Sequence, residues 1–182
     1  MSAEPTSFAI RRATAVSLGF GAWGLLMAYF ILDWRRSWPL FLFYLILLLN
    51  SYFSVRTFAS ITPRSDLLQQ LFDILLGLCL ALLPVNFNFT QNFVLVSTAL
   101  FIIATLKYVF LVPLSGFSRL LHQKIRIDAL GTMLCFLALV GVLWGYGRWS
   151  VILWSLTFLF ANIYVLYWRP HYSLDLHQQN VE

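Results

Sequence analysis

Three charged side chains, Asp73, Lys107 and Asp128, lie in or at the edge of long apolar segments. Charged side chains within a membrane are costly, and by default they indicate an ion or proton pathway. A carboxylate and an ammonium at one depth would also relieve each other's burial cost, which is a purely structural reason for both. For Asp73 and Lys107 both interpretations stay open. For Asp128, which closely follows Lys124 and Arg126, a position at the membrane interface near the start of a helix is favoured.

Uncharged polar residues accompany these charges. If helices cross a membrane in alternating directions, one polar residue of each helix falls in the same half of the membrane: Ser17, Asn50, Asp73, Lys107, Asp128 and Asn162. Protons, ions or a small polar solute could use such a layer as a pathway. We therefore expect a small transport protein, a channel or carrier subunit, with this pathway formed by Asn50, Asp73, Lys107, Asp128 and Asn162. A non-catalytic accessory or scaffold subunit of a larger membrane complex is the alternative.

Catalysis has little support in the sequence. Metalloprotease, serine hydrolase and phosphate-loop motifs are absent from it. Two carboxylates on separate helices can share a proton or bind a divalent ion, so an intramembrane enzyme using Asp73 and Asp128 is a minor possibility. His171, Asp175 and His177 fall short of a four-ligand metal set. We expect neither an enzyme nor a resident cofactor or metal.

The composition requires a membrane protein. The chain has 182 residues, of which 60% are hydrophobic and 10% charged, and its mean hydropathy is +0.80. A helix needs about 20 residues to cross a hydrocarbon core of ~30 Å. Six apolar segments meet that need: 13–32, 39–55, 67–85, 93–112, 127–145 and 150–168. They are continuously apolar rather than alternating, so the predicted fold is a single all-α domain of six transmembrane helices.

The orientation follows from the basic residues. Eight lie on the side of the termini: Arg11, Arg12, Arg56, Arg64, Arg119, Lys124, Arg126 and Arg169. Three lie on the other side, namely Arg35, Arg36 and Arg148, and Lys107 belongs to neither side. The positive-inside rule then predicts both termini in the cytoplasm, a short cytoplasmic tail over 170–182, and a location in the plasma or inner membrane. The net charge of +5 is attributed to this asymmetry and not to nucleic-acid binding.

Four further expectations concern packing. Trp34, Trp38, Trp144 and Trp149 should form an interfacial belt at the outer side. The segment 114–125 is predicted to form a short interfacial helix that turns Arg119, His122 and Lys124 away from its apolar face.

Cys79 and Cys135 should serve packing, since a disulfide would require helices three and five to touch. Because six short helices enclose little volume, we expect a homo-oligomer in the lipid bilayer or a complex with other membrane subunits.

Overall fold

The computed structural model describes residues 7–59, 61–63, 65–115 and 119–165, and the protein is all-α over these ranges, as the sequence predicts. The helices are α1 (Ser7–Ile31), α2 (Trp34–Phe58), α3 (Leu67–Val85), α4 (Thr90–Ser115), α5 (Arg119–Gly141) and α6 (Gly147–Ile163). A π-helical turn, Val142–Tyr146, joins α5 to α6. Several residues of the sequence analysis lie outside the described ranges: Arg64, Arg169, His171, Asp175, His177 and the tail 170–182.

Five helical stretches of the described residues are long and apolar enough to cross a membrane. Four of them are α1, α2, α3 and most of α4, and the fifth is the 45-residue stretch Arg119–Ile163, which contains α5, the π turn and α6. By itself α6 has 17 residues. The chain therefore has the helical, apolar character of a membrane protein.

Helix capping determines where α2 and α3 begin, and it explains why α2 begins before the apolar segment 39–55. Asp33 begins α2 by accepting a hydrogen bond from the backbone N–H of Arg35, at 3.1 Å. Asp66 begins α3 by accepting from the N–H groups of Leu68 and Gln69, at 2.8 and 3.2 Å. A carboxylate at this position satisfies donors that have no partner within the helix. Apolar composition identifies the residues of a helix that suit the hydrocarbon core, whereas the capping side chain determines the residue at which the helix begins.

The predicted interfacial helix over 114–125 is replaced by the ends of two longer helices. Leu114 belongs to the last turn of α4, which ends at Ser115, and α5 begins at Arg119. Lys124 was expected to face outward, but its side chain is 7% exposed and contacts Asp128. The amphipathic pattern of this segment reflects the start of a bundle helix, whose apolar face and Lys124 both turn inward.

The six helices form a closed ring. Around it α1 packs on α2, α2 on α6, α6 on α5, α5 on α4, α4 on α3 and α3 on α1, while α2 and α4 also contact each other. The chain reverses at Gly145, whose φ of +89° is a backbone conformation that favours glycine. As a result Gly131 of α5 and Phe158 of α6 both lie against Phe101 of α4. Cys79 and Cys135 are buried and free, in accord with a packing role.

Aromatic side chains fill one half of the ring, where α2, α4 and α6 begin. Phe43 stacks on Trp154 with ring centroids 3.8 Å apart and lies 4.5 Å from Phe158. We call the following buried cluster the aromatic plug: Phe43, Tyr44, Phe87, Phe93, Trp154 and Phe158. Exposed tryptophans surround the same end of the bundle: Trp34, Trp38, Trp144 and Trp149.

Candidate functional site

A cavity of about 160 Å³ occupies the other half of the ring, where α1, α3 and α5 begin and α2, α4 and α6 end. Side chains from α1 to α5 line it. The charged residues among the described lining are Arg12, Lys107, Lys124, Asp73 and Asp128. Three cations against two carboxylates leave a formal excess of one positive charge, which would attract an anionic group.

Asp73 and Lys107 pair directly and line the cavity. The Lys107 Nζ donates to Asp73 Oδ1 at 2.5 Å, and the Arg12 guanidinium donates to Asp73 Oδ2 at 2.9 Å. Arg12 lies five residues into α1 and Asp73 six residues into α3, so both lie ~8–9 Å along their helices. From the sequence, Arg12 is expected to serve topology alone, because it precedes the apolar segment 13–32. The earlier start of α1 at Ser7 places it in the site, and no signal in the sequence indicates this.

Asp128 is buried within the bundle. Its side chain is 1% exposed, and its Oδ1 accepts from Lys124 Nζ at 2.7 Å. Its Oδ2 is buried and has no hydrogen-bond partner among the described residues. Since α5 begins at Arg119, Asp128 lies ~13 Å along the helix, and its depth relative to the membrane interface stays a prediction. A buried carboxylate oxygen without a donor is unfavourable by about 1–3 kcal/mol or more, and such groups in native structures call for an explanation.

Tyr108 connects the two ion pairs. The Lys107 and Lys124 ammonium groups lie 5.8 and 5.5 Å from the centroid of its ring, within the range of cation–π attraction. Its hydroxyl lies 2.6 Å from the Ser54 Oγ. The sequence analysis missed Tyr108 as well as Lys124. The spacing of four between Lys124 and Asp128 is the signal that could have revealed their pairing.

The two asparagines meet between the neighbouring helices α2 and α6. Asn50 Nδ2 donates to Asn162 Oδ1 at 2.8 Å, and Asn162 Nδ2 donates to the backbone oxygen of Phe158 at 2.8 Å. Asn50 lines the cavity, whereas Asn162 does not line it and instead accepts the hydrogen bond from Asn50. Of the five residues predicted for a pathway, four thus line one cavity, and the fifth, Asn162, holds Asn50 in place. The Oγ of Ser17 is buried and has no partner within the described ranges.

The charged side chains of the cavity differ widely in exposure. The exposed fractions are 36% for Arg12, 28% for Asp73, 10% for Lys107, 7% for Lys124 and 1% for Asp128. We therefore take the mouth of the cavity to lie at the two most exposed charged residues, Arg12 of α1 and Asp73 of α3, and its closed end to lie at Asp128. An engineered cavity of about 150 Å³ binds benzene, so this space suits a few water molecules or one small polar group.

Within the described ranges no group of three or more His, Cys, Asp or Glu side chains could hold a metal ion. Asp73 and Asp128 line the same cavity, but Asp73 is paired with Arg12 and Lys107, and Asp128 is paired with Lys124. Cationic donors line the mouth of the cavity, and at its closed end Asp128 has a buried oxygen that lacks a donor among the described residues. No known family model, curated protein or solved structure matches the chain.

Proposed function

We propose that the chain is a small integral membrane carrier that binds a polar solute in the cavity beside Asp128. The observation that carries the proposal is the Asp128 Oδ2, which is buried without a donor in a cavity that also contains Lys107 and Asn50. A bound solute with an N–H or O–H group would supply the missing donor. Its anionic part would be held by the cations at the mouth.

The proposal includes six crossings with both termini in the cytoplasm. The stretch Arg119–Ile163 would be ~68 Å long if straight, about twice the hydrocarbon thickness, and it folds back at Gly145. The exposed tryptophans at the plug end suit one interface, and most basic residues fall at the cavity end. The cavity would then open towards the inner leaflet. Assembly of several copies remains a prediction.

A carrier fits the packing better than a channel does. The aromatic plug fills the half of the bundle beyond the cavity, with Phe43 and Trp154 in stacking contact. A solute held beside Asp128 could cross only if the helices moved to close one side and open the other, as in alternating access. The excess positive charge and the free acceptor together favour a small anionic or zwitterionic solute.

An accessory subunit of a membrane complex is the second candidate. The direct contact between Asp73 and Lys107 favours it, because a satisfied ion pair can serve structure without any ligand. Extraction in a mild detergent should then recover a partner at fixed stoichiometry. Recovery of a lone, stable homo-oligomer would count against this candidate.

Flux across sealed proteoliposomes tests the carrier. The purified chain would be assayed with an internal pH dye and with labelled small anions and zwitterions. We expect Asp73→Asn to reduce flux at least ~10-fold, since the mouth loses the anion that orients Arg12 and Lys107. Asp66→Asn is the matched control: it makes the same chemical change on α3 outside the cavity, and asparagine caps a helix as well as aspartate does.

Thermal unfolding would establish that both variants are folded at the assay temperature. No flux from the intact protein, or equal flux from Asp73→Asn and the intact protein, would contradict the carrier.

A further inference from the structure

An apolar groove adjoins the mouth of the cavity on the outside of the bundle. It is lined by Ala15, Val16, Gly19, Phe20, Trp23 and Ala81 of α1 and α3. Val16 and Phe20 line both the groove and the cavity, so the two spaces are neighbours with shared walls. The Trp23 indole donates to the backbone oxygen of Ala81 at 2.9 Å and ties the two helices together at the far end.

The groove has room for a hydrocarbon chain. No atom lies within 4 Å of the position that a Cβ on Gly19 would occupy, so the groove is open there. From Ala15 to Trp23 it follows α1 for ~12 Å. Its volume is about 280 Å³, and it faces the side of the bundle where lipid would lie in a membrane.

In a bilayer centred on α1, the cavity mouth would lie close to the boundary between head groups and acyl chains. α1 has 25 residues and is ~37 Å long, which exceeds a hydrocarbon core of ~30 Å by ~3–4 Å at each end. Arg12, ~8 Å from the start of α1, therefore lies just inside the boundary between head groups and acyl chains. A guanidinium and an ammonium side by side at this level can bind a phosphate through charge-assisted hydrogen bonds.

We propose, on the basis of the carrier function above, that the solute is a phospholipid whose head group carries hydrogen-bond donors. Its phosphate binds at Arg12 and Lys107, its head group donates to Asp128 Oδ2, and one acyl chain lies in the groove beside Gly19. The arrangement fits an amphiphile better than a water-soluble solute, because the polar cavity opens beside an apolar groove. The three cations complement the phosphate, and the free carboxylate oxygen complements the donor.

Two lipids that share the phosphate and the acyl chains but differ in the methylation of the head-group nitrogen test this assignment. Phosphatidylethanolamine has N–H donors, whereas phosphatidylcholine with the same acyl chains has none. Native mass spectrometry of the purified full chain, incubated with equal amounts of both, should show phosphatidylethanolamine retained about tenfold more strongly, the discrimination expected for one hydrogen bond to a charged acceptor. The double variant Lys124→Met and Asp128→Leu, which removes the acceptor and its partner together, should lose this preference.

A second variant tests the groove. Gly19→Trp fills the open space and should lower retention of both lipids at least about fivefold, because an acyl chain in a preformed groove is displaced. Leu18→Trp is the matched control, since Leu18 is 68% exposed, neighbours Gly19 and does not line the groove. Equal retention of the two lipids by the intact protein would overturn the proposal. Unchanged retention by Gly19→Trp would do the same.

A water-soluble head group separates this proposal from the carrier function. If glycerophosphoethanolamine binds as tightly as the lipid and crosses proteoliposomes, the carrier stands and the lipid assignment is refuted. If the lipid preference, its loss in the double variant and the lower retention by Gly19→Trp are all observed without any flux, the lipid site stands and the carrier is refuted.

Discussion

Removal of Asp128 alone should destabilise the protein severely. In Asp128→Leu the Lys124 ammonium, 7% exposed, loses the carboxylate that lies 2.7 Å away. Breaking a buried ion pair by removing one partner lowers the free energy of unfolding by about 3–5 kcal/mol, because an uncompensated charge stays buried. Lys124→Met should have a similar effect, since it leaves the 1% exposed Asp128 without its cation.

The double variant should restore most of this stability. Replacing a buried ion pair by apolar residues of similar size is neutral or stabilising by about 1–4 kcal/mol. The loss of the attraction between Lys124 and the Tyr108 ring costs about 0.5–2 kcal/mol. Lys124→Met combined with Asp128→Leu should therefore lie within about 2 kcal/mol of the wild type, which makes the coupling energy of the cycle at least about 4 kcal/mol.

Reversible unfolding of the purified chain in mixed micelles, followed by tryptophan fluorescence and far-UV circular dichroism, measures all four proteins of the cycle. Additive effects of the two substitutions, with a coupling energy near zero, would refute the reasoning. Such a result would mean that water or another group compensates each charge, and Asp128 would then lack the buried acceptor on which the site depends.

Further predictions concern access and packing. In a protein whose two native cysteines are replaced by alanine, Ala104→Cys should react with an anionic, membrane-impermeant thiol reagent only from the side of the termini. The reason is that the cavity opens on that side and the aromatic plug closes the other half, so labelling from both sides of sealed vesicles would indicate a channel. Gly131→Ala should lower the free energy of unfolding by about 1–3 kcal/mol, because the new Cβ would lie 2.6 Å from the Phe101 ring. Gly19→Ala, with open space, should be neutral or gain up to about 1 kcal/mol in the same micelle assay, and equal losses at both sites would contradict the packing. Gly145→Ala should cost about 1–3 kcal/mol because φ is +89°, and an unchanged unfolding midpoint would show that the turn relaxes.

Much of the fold follows from the sequence through one physical rule. Long apolar segments must be helical in lipid, and this identifies each helix, including α3 with its observed bounds of Leu67–Val85. Helix ends are less predictable because they depend on individual capping side chains such as Asp33. The inward orientation of Lys124 does not follow from the sequence, since an amphipathic stretch looks the same at a membrane surface and at the start of a bundle helix.

Depth within the bundle could be inferred from the sequence, but the pairing of side chains could not. When residues are counted along helices that alternate in direction, Asn50, Asp73 and Lys107 fall at a similar depth in the bundle. The structure places them around one cavity. Which groups touch depends on the order of the helices around the ring, and no local pattern encodes that order. The contact of Arg12 with Asp73 requires α1 to lie beside α3, and this emerges from the three-dimensional packing alone.

Flux by the stable double variant tests the central claim most directly. Sealed proteoliposomes would contain either the wild type or the variant Lys124→Met with Asp128→Leu, in equal amounts and with folding verified. Labelled glycerophosphoethanolamine and a fluorescent phosphatidylethanolamine would serve as solutes. The carrier account predicts that the wild type moves at least one of them and that the variant falls to the rate of empty liposomes. Equal movement by the two proteins would contradict a role for Asp128 as the acceptor of the carried solute.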